Sequence, residues 1–298
     1  MNSHRAVPRA IAYRTRGQGH GPIVRLMSPS DLGRILKPFV FLDIFEMDAQ
    51  TLRAFAMPGA GMPIHPHSGI ATVTIITEGW LRFEDPANGS GRIGYGGVEW
   101  MRASGGVWHG KEMTAGEGVS HVQGFQLWVA LPAELENAEP ESRYIEAKDM
   151  RSAGPAVVVV GSYEGTSSPV PAPDGYNYLL VTLKAGERWT YTPPPGHTVG
   201  WLAVAKGALH AGEAVDAGEM VLFEQRADPI ALQAGVDGSV FVLGSAVPHP
   251  YPLHLGMYSV HTSREALTSG ERRIAELGRK LNEGGDRRTA AGTVPVFR

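Results

Sequence analysis

Three histidines and one glutamate in the first half of the chain have the residue types and spacing of a metal site. His65 and His67 are two residues apart at the start of a predicted strand, so both side chains leave the same face. Burying two imidazoles is costly unless the acceptor nitrogen of each finds a partner, and a divalent metal is the simplest partner. His109 follows a second predicted strand, and Glu112 comes three residues later. Three imidazoles and one carboxylate suit Fe, Mn, Ni, Cu or Zn, so we predict one mononuclear metal site.

Other kinds of active site find little support in the sequence. Cysteine is absent, which excludes disulfides, thiolate metal ligands and a cysteine nucleophile. No G-x-S-x-G motif singles out a serine nucleophile, and the glycine-rich run RGQGHG lacks the spacing of a phosphate-binding loop. An isolated H-x-H pair can also arise by chance in a proline-containing loop. The metal interpretation therefore depends on His109 and Glu112 as well.

The residues around the histidines predict β-strands separated by turns. Between residues 64 and 131 the strand-like segments are IATVTIITEGWLRF, RIGYGGVEWMRA and HVQGFQLWVALP, and the turn signals are DPANGSG and TAGEG. The face of His65 and His67 is expected to continue through Val73 and Ile75 toward the interior of a barrel. Segments such as AVVVVGSYEG, YNYLLVTLKAG and SVFVLGSA repeat this pattern, which predicts a second barrel.

The connection between the two predicted barrels is acidic and contains proline. The stretch LPAELENAEPESRY carries Pro132 and Pro140 and is typical of a surface connection. A chain of 298 residues also exceeds the usual length of one domain. We therefore predict an N-terminal domain over residues 1–145, with the metal site, and a C-terminal domain over residues 146–298 without metal.

The end of the chain changes from strand to helix character. Thr262 and Glu265 have the spacing of a capping box, and apolar residues then recur at helical intervals. These apolar residues are Ile274, Leu277 and Leu281. A short C-terminal helical segment is expected in the second domain. The last stretch, EGGDRRTAAGTVPVFR, has no consistent period and predicts an arm or a flexible tail.

Charge and hydropathy narrow the range of partners. The net charge is -3 and charges of both signs are interspersed, so no strong field attracts nucleic acid or an anionic membrane. The first 21 residues lack the apolar core of a signal peptide, and no stretch approaches the length of a membrane span. The expectation is a cytoplasmic protein with neither nucleic acid nor membrane as a direct partner.

Several blocks of sequence resemble the pirin family of bicupins. These are HPHSGIATVTIITEG, EWMRASGGVWH and GFQLWVALP, with LKPFVFLD upstream, and the resemblance spans residues 20 to about 265. It implies an all-β fold with two cupin, jelly-roll-type β-barrels in tandem. It also implies one metal, commonly iron, in the N-terminal cupin, and a C-terminal cupin that has lost its ligands. Some members are known as quercetin 2,3-dioxygenases, and others are associated with transcriptional regulation.

The resemblance places the family's three histidine ligands on His65, His67 and His109, but the fourth ligand is displaced. The family's glutamate usually comes two residues after the third histidine, where this chain has Lys111. On a regular strand Glu112 would face away from His109, so we predict a bulge at Gly110 that turns Glu112 to the metal and Lys111 outward. Two alternatives are three histidines completed by water, and substitution of the fourth ligand by His121.

These observations predict two candidate functions. The first is an Fe(II)-dependent dioxygenase that opens the ring of a flavonol-like, quercetin-type substrate, with Glu112 as metal ligand and catalytic base. The alternative is a non-catalytic, redox-sensing metal protein that binds a protein partner. The remaining histidines of the second half are interpreted as turn and surface residues, and they are His197, His210, His249, His254 and His261.

Overall fold

The structure is a computed structural model that describes residues 8–56, 64–85, 88–110 and 113–284. Within these ranges no helix is both long enough and apolar enough to cross a membrane. The described residues form two compact units. The N-terminal unit comprises those within 20–23, 27–149 and 250–298, and the C-terminal unit comprises those within 1–19, 24–26 and 150–249.

Short strands separated by turns make up most of both units. The strands of the first half are β1 (Ile11–Thr15), β2 (Gln18–His20), β3 (Ile23–Met27), β4 (Phe39–Asp48), β5 (His65–His67), β6 (Ile70–Glu78), β7 (Trp80–Asp85), β8 (Gly89–Gly94), β9 (Val98–Arg102), β10 (Val107–His109), β11 (Met113–Ala115), β12 (His121–Ala130) and β13 (Glu141–Ile145). Helix α1 (Ala49–Ala56) and a 3-10 turn at Leu32–Arg34 lie between them.

The second half continues with strands and ends in a long helix. Its strands are β14 (Ser152–Ala153), β15 (Ala156–Val160), β16 (Ser162–Tyr163), β17 (Thr166–Ser167), β18 (Tyr176–Leu183), β19 (Arg188–Tyr191), β20 (Val199–His210), β21 (Ala214–Asp216), β22 (Met220–Phe223), β23 (Ile230–Ala246), β24 (His254–Leu255) and β25 (Val260–His261). A 3-10 turn at Ala147–Asp149 precedes them, and helix α2 (Arg264–Gly284) follows. The all-β fold with a C-terminal helix is confirmed.

The main sheet of the N-terminal unit has seven strands in the order β13-β9-β6-β12-β4-β3-β2, and the five from β13 to β4 pair antiparallel. Strand β6 lies at the centre of these five, and residues Ile70 to Ile76 are buried on both of its faces. Even the polar side chains there are buried, and Thr74 donates a hydrogen bond from Oγ1 to Glu99 Oε2 at 2.5 Å. Strand β6 pairs with a neighbouring strand on each side. Its buried backbone N–H and C=O groups therefore have hydrogen-bond partners, and the strand can be buried without an energetic penalty for unpaired groups.

The predicted strand IATVTIITEGWLRF is two strands in the structure. Gly79 separates β6 from β7 and has a φ of +75°, which favours glycine. A β-carbon at Gly79 would lie 2.2 Å from the carbonyl oxygen of His121, so no other residue fits without a shift. The histidine strand β5 is also separate from β6, because it pairs with β10 rather than with the main sheet. The expected continuous face from His67 into β6 is therefore interrupted at Gly69, where φ is +74°.

Helix α2 confirms the predicted helical spacing but not the predicted cap. It is 21 residues long, and Ile274, Leu277 and Leu281 are buried. The cap is Ser263, whose Oγ accepts a hydrogen bond from the backbone N–H of Ala266 at 3.0 Å. The predicted capping residue, Thr262, instead donates its hydroxyl to Glu136, so the capping-box prediction is wrong by one residue.

The ends of the chain are divided differently from the predicted domains. Residues from 250 onward belong to the N-terminal unit, and residues up to 19 belong to the C-terminal unit. Helix α2 thus contacts strands β5 and β10 of the N-terminal unit, although the sequence placed it in the second domain. The predicted tail after residue 284 lies outside the described residues.

Candidate metal centre

The pairing of β5 with β10 brings the three predicted histidine ligands together. The two strands are antiparallel, with His65 opposite His109 and His67 opposite Val107. One ring nitrogen from each of the three histidines lies within 4.8 Å of the others, within reach of a single ion. The ring centroids are 4.8 Å apart for His65 and His67, 4.6 Å for His65 and His109, and 5.2 Å for His67 and His109. Two short strands therefore supply three imidazoles to one point.

The environment of the cluster favours neutral imidazole. His67 and His109 are buried, while His65 is half-buried. Burial, followed by repulsion from His109 and His65, lowers the pKa of His67 well below its ordinary value. A metal binds the unprotonated ring nitrogen, so this arrangement keeps His67 in the form that coordination requires.

A backbone carbonyl fixes the orientation of the His67 ring. Nδ1 of His67 lies 3.2 Å from the carbonyl oxygen of Tyr258. A carbonyl oxygen can only accept a hydrogen bond, so the proton of the neutral ring belongs on Nδ1. Nε2 then carries the lone pair that can bind a metal. Histidine ligands commonly donate their other N–H to a carbonyl or carboxylate in this way.

Aromatic rings form one wall of the cluster. The ring centroid of Trp128 lies 4.8 Å from that of His67, and Trp128 itself stacks on Phe41 at 4.1 Å. The ring of Tyr258 lies 6.0 Å from His65 and 6.2 Å from His67, and Tyr258 is 36% exposed. A partly exposed aromatic wall beside the cluster suits a flat, apolar ligand.

The predicted fourth ligand, Glu112, lies outside the described residues, as does Lys111. Strand β10 ends at His109, and Gly110 has a φ of +144°, a conformation that favours glycine. The next strand, β11, starts at Met113 and pairs with β7 rather than with β5. The chain therefore does not continue as one regular strand from His109. The bulge and the assignment of Glu112 stay predictions.

His121, the alternative fourth ligand, has different neighbours. Its Nε2 lies 3.0 Å from Glu46 Oε1 and its Nδ1 lies 3.2 Å from Glu78 Oε1, at the start of β12. Among the described residues, the histidines of β5 and β10 form the one group suited to a metal, and His121 is not in it. His121 therefore pairs with carboxylates at a strand end.

Three histidines of the second half are buried, which corrects their interpretation as turn and surface residues. His261 is 1% exposed, and His197 and His249 are also buried. Nδ1 of His197 lies 2.8 Å from Ser245 Oγ. Among the described residues, His197 does not belong to the group of side chains suited to a metal. His210 is exposed as expected.

Sequence reasoning missed the residues behind the cluster. Ser68 follows His67 directly, and its Oγ lies 3.0 Å from Nε2 of His261, 193 positions away. The carbonyl of Tyr258 meets His67 across 191 positions. No local sequence pattern predicts such long-range contacts.

Two cavities of about 230 Å³ and 590 Å³ lie at Gly105–Gly106 and at Pro8–Ile11, and neither is lined by the three histidines.

Known proteins resemble this chain over most of its length. The pirin family model matches residues 23–129. A pirin-like protein from Caulobacter vibrioides is 34% identical over 88% of this chain and 95% of its own length. A Pseudomonas aeruginosa relative named "Putative quercetin 2,3-dioxygenase PA2418" is 30% identical over 83% of this chain and 87% of its own length.

Solved structures show the same architecture. A quercetin 2,3-dioxygenase from Acinetobacter baumannii has a TM-score of 0.76 at 23% identity, covering 91% of this chain and 98% of its own. The Escherichia coli pirin YhhW in complex with nickel(II) has a TM-score of 0.56 at 16% identity, covering 81% of this chain and 96% of its own. The predicted fold, a tandem of two cupin barrels, is confirmed. The protein is thus a bicupin. By its similarity to full-length relatives, the chain belongs to the pirin family.

Proposed function

We propose that this protein is an Fe(II)-dependent dioxygenase that opens the ring of a flavonol-like, quercetin-type substrate. The observation that carries the proposal is the convergence of His65, His67 and His109 beside the aromatic wall of Trp128 and Tyr258. The names of the Pseudomonas relative and of the Acinetobacter structure point in the same direction.

The donor set fits a redox-active divalent metal. Three imidazoles would hold the ion, and Glu112 is proposed as the fourth ligand. Three or four protein ligands leave coordination positions free for small molecules. Imidazole nitrogen also suits Mn, Ni, Cu and Zn, so the assignment of iron is part of the proposal. When bound, the metal would supply Lewis acidity and electrons for the reaction with O2.

The chain's own residues would bind and orient the substrate. The exposed edge of Tyr258 and the ring of Trp128 offer a flat, apolar surface for an aromatic ligand. His65 is the half-buried member of the cluster, and the substrate is proposed to approach on its side. Glu112 is proposed to take the proton from a substrate hydroxyl, which would make the substrate a better electron donor.

Oxygen consumption with a defined substrate tests this function. The protein is loaded anaerobically with one equivalent of Fe(II), quercetin is added, and O2 uptake is followed with an electrode. We expect one O2 consumed per quercetin in the wild type and background uptake in His65→Ala. His210→Ala, an exposed histidine of the C-terminal unit, is the matched control and should keep the wild-type rate. Equal uptake in His65→Ala and the wild type would contradict the proposal.

The exposed side chains next to the cluster favour the second candidate, a redox-sensing protein that binds a protein partner. Met257 is 84% exposed, and its neighbour Tyr258, whose ring lies 6.0 Å from that of His65, is 36% exposed. Exposed apolar side chains are typical of partner-binding surfaces. For this function, quercetin gives no O2 uptake, and hydrogen exchange over residues 250–258 differs between the Fe(II) and Fe(III) forms. Identical exchange in both forms would exclude it.

A further inference from the structure

The segment that follows residue 250 contacts both strands of the histidine cluster. The carbonyl oxygen of Tyr258 meets Nδ1 of His67 on β5. On β10, Trp108 donates a hydrogen bond from Nε1 to the carbonyl oxygen of Ile274 in α2, at 2.7 Å. Trp108 is the neighbour of His109. The C-terminal segment (residues 254–284) therefore touches each ligand strand next to a histidine.

A buried polar network anchors this segment to the residue after His67. Ser68 donates from Oγ to Ser259 Oγ at 2.9 Å, and its Oγ lies 3.0 Å from Nε2 of His261. Nδ1 of His261 lies 3.3 Å from Glu136 Oε2. All four side chains are buried. The contact of His261 with Glu136 is a close polar approach without the geometry of a hydrogen bond. Buried polar groups have few competing partners, so the network can hold a fixed geometry.

The carboxylate at the end of the network is itself fixed. Glu136 lies in the turn after β12, where its backbone N–H bonds to the carbonyl of Pro132 at 3.1 Å. Its Oε2 accepts from the backbone N–H of Thr262 at 2.6 Å, and its Oε1 accepts from Thr262 Oγ1 at 2.7 Å. The network thus joins three stretches of chain: the end of β5, the turn after β12, and the residues that lead into α2.

Helix α2 approaches the network closely at a glycine. A β-carbon at Gly270 would lie 2.5 Å from Nε2 of His261 and 2.6 Å from Oγ of Ser68. A second close approach occurs at Gly69, where a β-carbon would lie 2.0 Å from the carbonyl oxygen of Val260. Glycine at both positions lets the helix and the strand β25 lie directly against the network.

The Ser68–His261–Glu136 arrangement has the order of a hydrolase triad but not its accessibility. Ser68 is fully buried and His261 is 1% exposed, so no substrate can reach the serine hydroxyl. A triad needs its nucleophile at a surface that binds substrate. The network is therefore suited to holding structure in place and not to attacking a bond.

We propose that Ser68, Glu136 and His261 are positioning residues for the metal centre. They hold residues 258–262 so that the carbonyl of Tyr258 keeps the proton of His67 on Nδ1 and turns Nε2 toward the other two histidines. This inference rests on the proposed metal site. According to this inference, the C-terminal segment contributes to the metal site by fixing the tautomer of His67.

The tautomer can be measured without metal. Long-range ¹H–¹⁵N spectra of the histidine rings distinguish Nδ1–H from Nε2–H. The signal of His67 is identified as the one that disappears from the spectrum of His67→Ala. We expect Nδ1–H in the metal-free wild type and a mixture of tautomers in His261→Ala. His261→Gln, whose amide can still reach Ser68, should stay closer to the wild type. Tyr258→Ala keeps the carbonyl and should keep the Nδ1–H tautomer.

Metal affinity gives the second readout. Zn²⁺, which is redox-inert and binds imidazole, is titrated in competition with a chelating dye. His261→Ala should lower Zn²⁺ affinity by about 10-fold, the usual effect of removing support behind a histidine ligand. The matched control is His197→Ala, another buried histidine bonded to a serine hydroxyl, which should bind Zn²⁺ like the wild type. If His261→Ala does not fold, Ser259→Ala removes one hydroxyl of the network and should change both readouts in the same direction.

The outcomes separate this inference from the proposed metal site. An Nε2–H tautomer in the wild type, or wild-type affinity and tautomer in folded His261→Ala, overturns the positioning role alone. Failure of the wild type to bind Zn²⁺ overturns the metal site and the inference together. Loss of the Nδ1–H tautomer with weakened Zn²⁺ binding in His261→Ala, but not in His197→Ala, supports it.

Discussion

The two units share an all-β architecture but differ in the side chains that fill them. In the N-terminal unit three imidazole rings meet beside Trp128. In the C-terminal unit the core is made mostly of aliphatic side chains together with a few aromatic rings, and Tyr163 and Tyr191 lie 5.0 Å apart with Phe241 in the same core. The comparison indicates that the barrel supplies a scaffold, while a few inward side chains decide whether it can hold a metal.

The buried histidines of the two units show how this difference works. His197 in the C-terminal unit faces the hydroxyl of Ser245, which also lies 2.6 Å from the hydroxyl of Tyr191. In the N-terminal unit Nδ1 of His67 faces a carbonyl oxygen, and the rings of His65 and His109 lie 4.8 and 5.2 Å from the ring of His67. Burial lowers the pKa of both histidines. An imidazole becomes a candidate ligand when its second nitrogen faces other ligands.

Replacement of a cluster histidine should have the largest effect. His67→Ala or His65→Ala is expected to abolish metal binding and leave a folded protein, because the metal contributes to a site more than to the cores. Metal content by mass spectrometry and a thermal melt measure both properties. Full metal occupancy in either variant would remove the basis of the comparison.

The position of the carboxylate gives the next largest effect. Glu112→Gln should weaken metal binding or abolish turnover, since the neutral amide is a poorer ligand and base than a carboxylate. Lys111→Ala should do neither, because an ammonium beside a metal dication is repelled and is predicted to face outward. Measurements of metal affinity and O2 uptake for the two variants test whether Glu112, and not Lys111, acts at the metal. Equal behaviour of Glu112→Gln and the wild type would favour three histidines and water.

Closer packing at Gly278 should destabilise the N-terminal unit moderately. A β-carbon there would lie 2.7 Å from Cζ2 of Trp108, so Gly278→Ala should push the indole away from the carbonyl of Ile274. We expect a loss of about 1–3 kcal/mol in the free energy of unfolding and weaker metal binding at the neighbouring His109. Thr268→Ala, on the exposed side of α2, is the control for helix propensity. If Gly278→Ala is more stable than the wild type, the contact between Gly278 and Trp108 has room for a methyl group, and the prediction is wrong.

Acid should destabilise the metal-free protein over a defined range. Burial lowers the pKa of His67 from its ordinary value of 6.5, so His67 stays neutral in the fold while the unfolded chain binds a proton below pH 6.5. The free energy of unfolding should therefore fall as pH drops from 6.5 to 5.5. His67→Gln should reduce this slope by about 1 kcal/mol per pH unit, because the unfolded histidine is about half to nine-tenths protonated over this range. Urea titrations at several pH values measure this slope, and His210→Gln, at an exposed histidine, is the control. An unchanged slope in His67→Gln would contradict the prediction.

The sequence predicted the parts of this account that depend on local patterns. The H-x-H spacing placed His65 and His67 on one face, and the apolar spacing placed Ile274 and Leu277 on a buried helix face. It did not predict the break of the chain at Gly69, because a left-handed glycine leaves no trace in hydropathy. Nor did it distinguish Thr262 from Ser263 as the cap, since both residues can serve.

Long-range contacts explain the larger misses. His261 looked like a surface residue because it stands among turn residues, and its burial comes from Ser68 and Glu136, which are distant in sequence. The same contacts place the C-terminal segment in the N-terminal unit, whereas composition alone suggested a simple division near residue 145. Pairing between distant segments follows from tertiary packing, which no local period encodes.

The number of metal ions bound per chain tests the central claim most directly. The wild type is reconstituted anaerobically with excess Fe(II), freed of unbound metal, and analysed by mass spectrometry for iron per chain. The account predicts one equivalent in the wild type and none in the His65→Ala/His67→Ala/His109→Ala triple variant. Two equivalents in the wild type, or one equivalent retained by the folded triple variant, would contradict it.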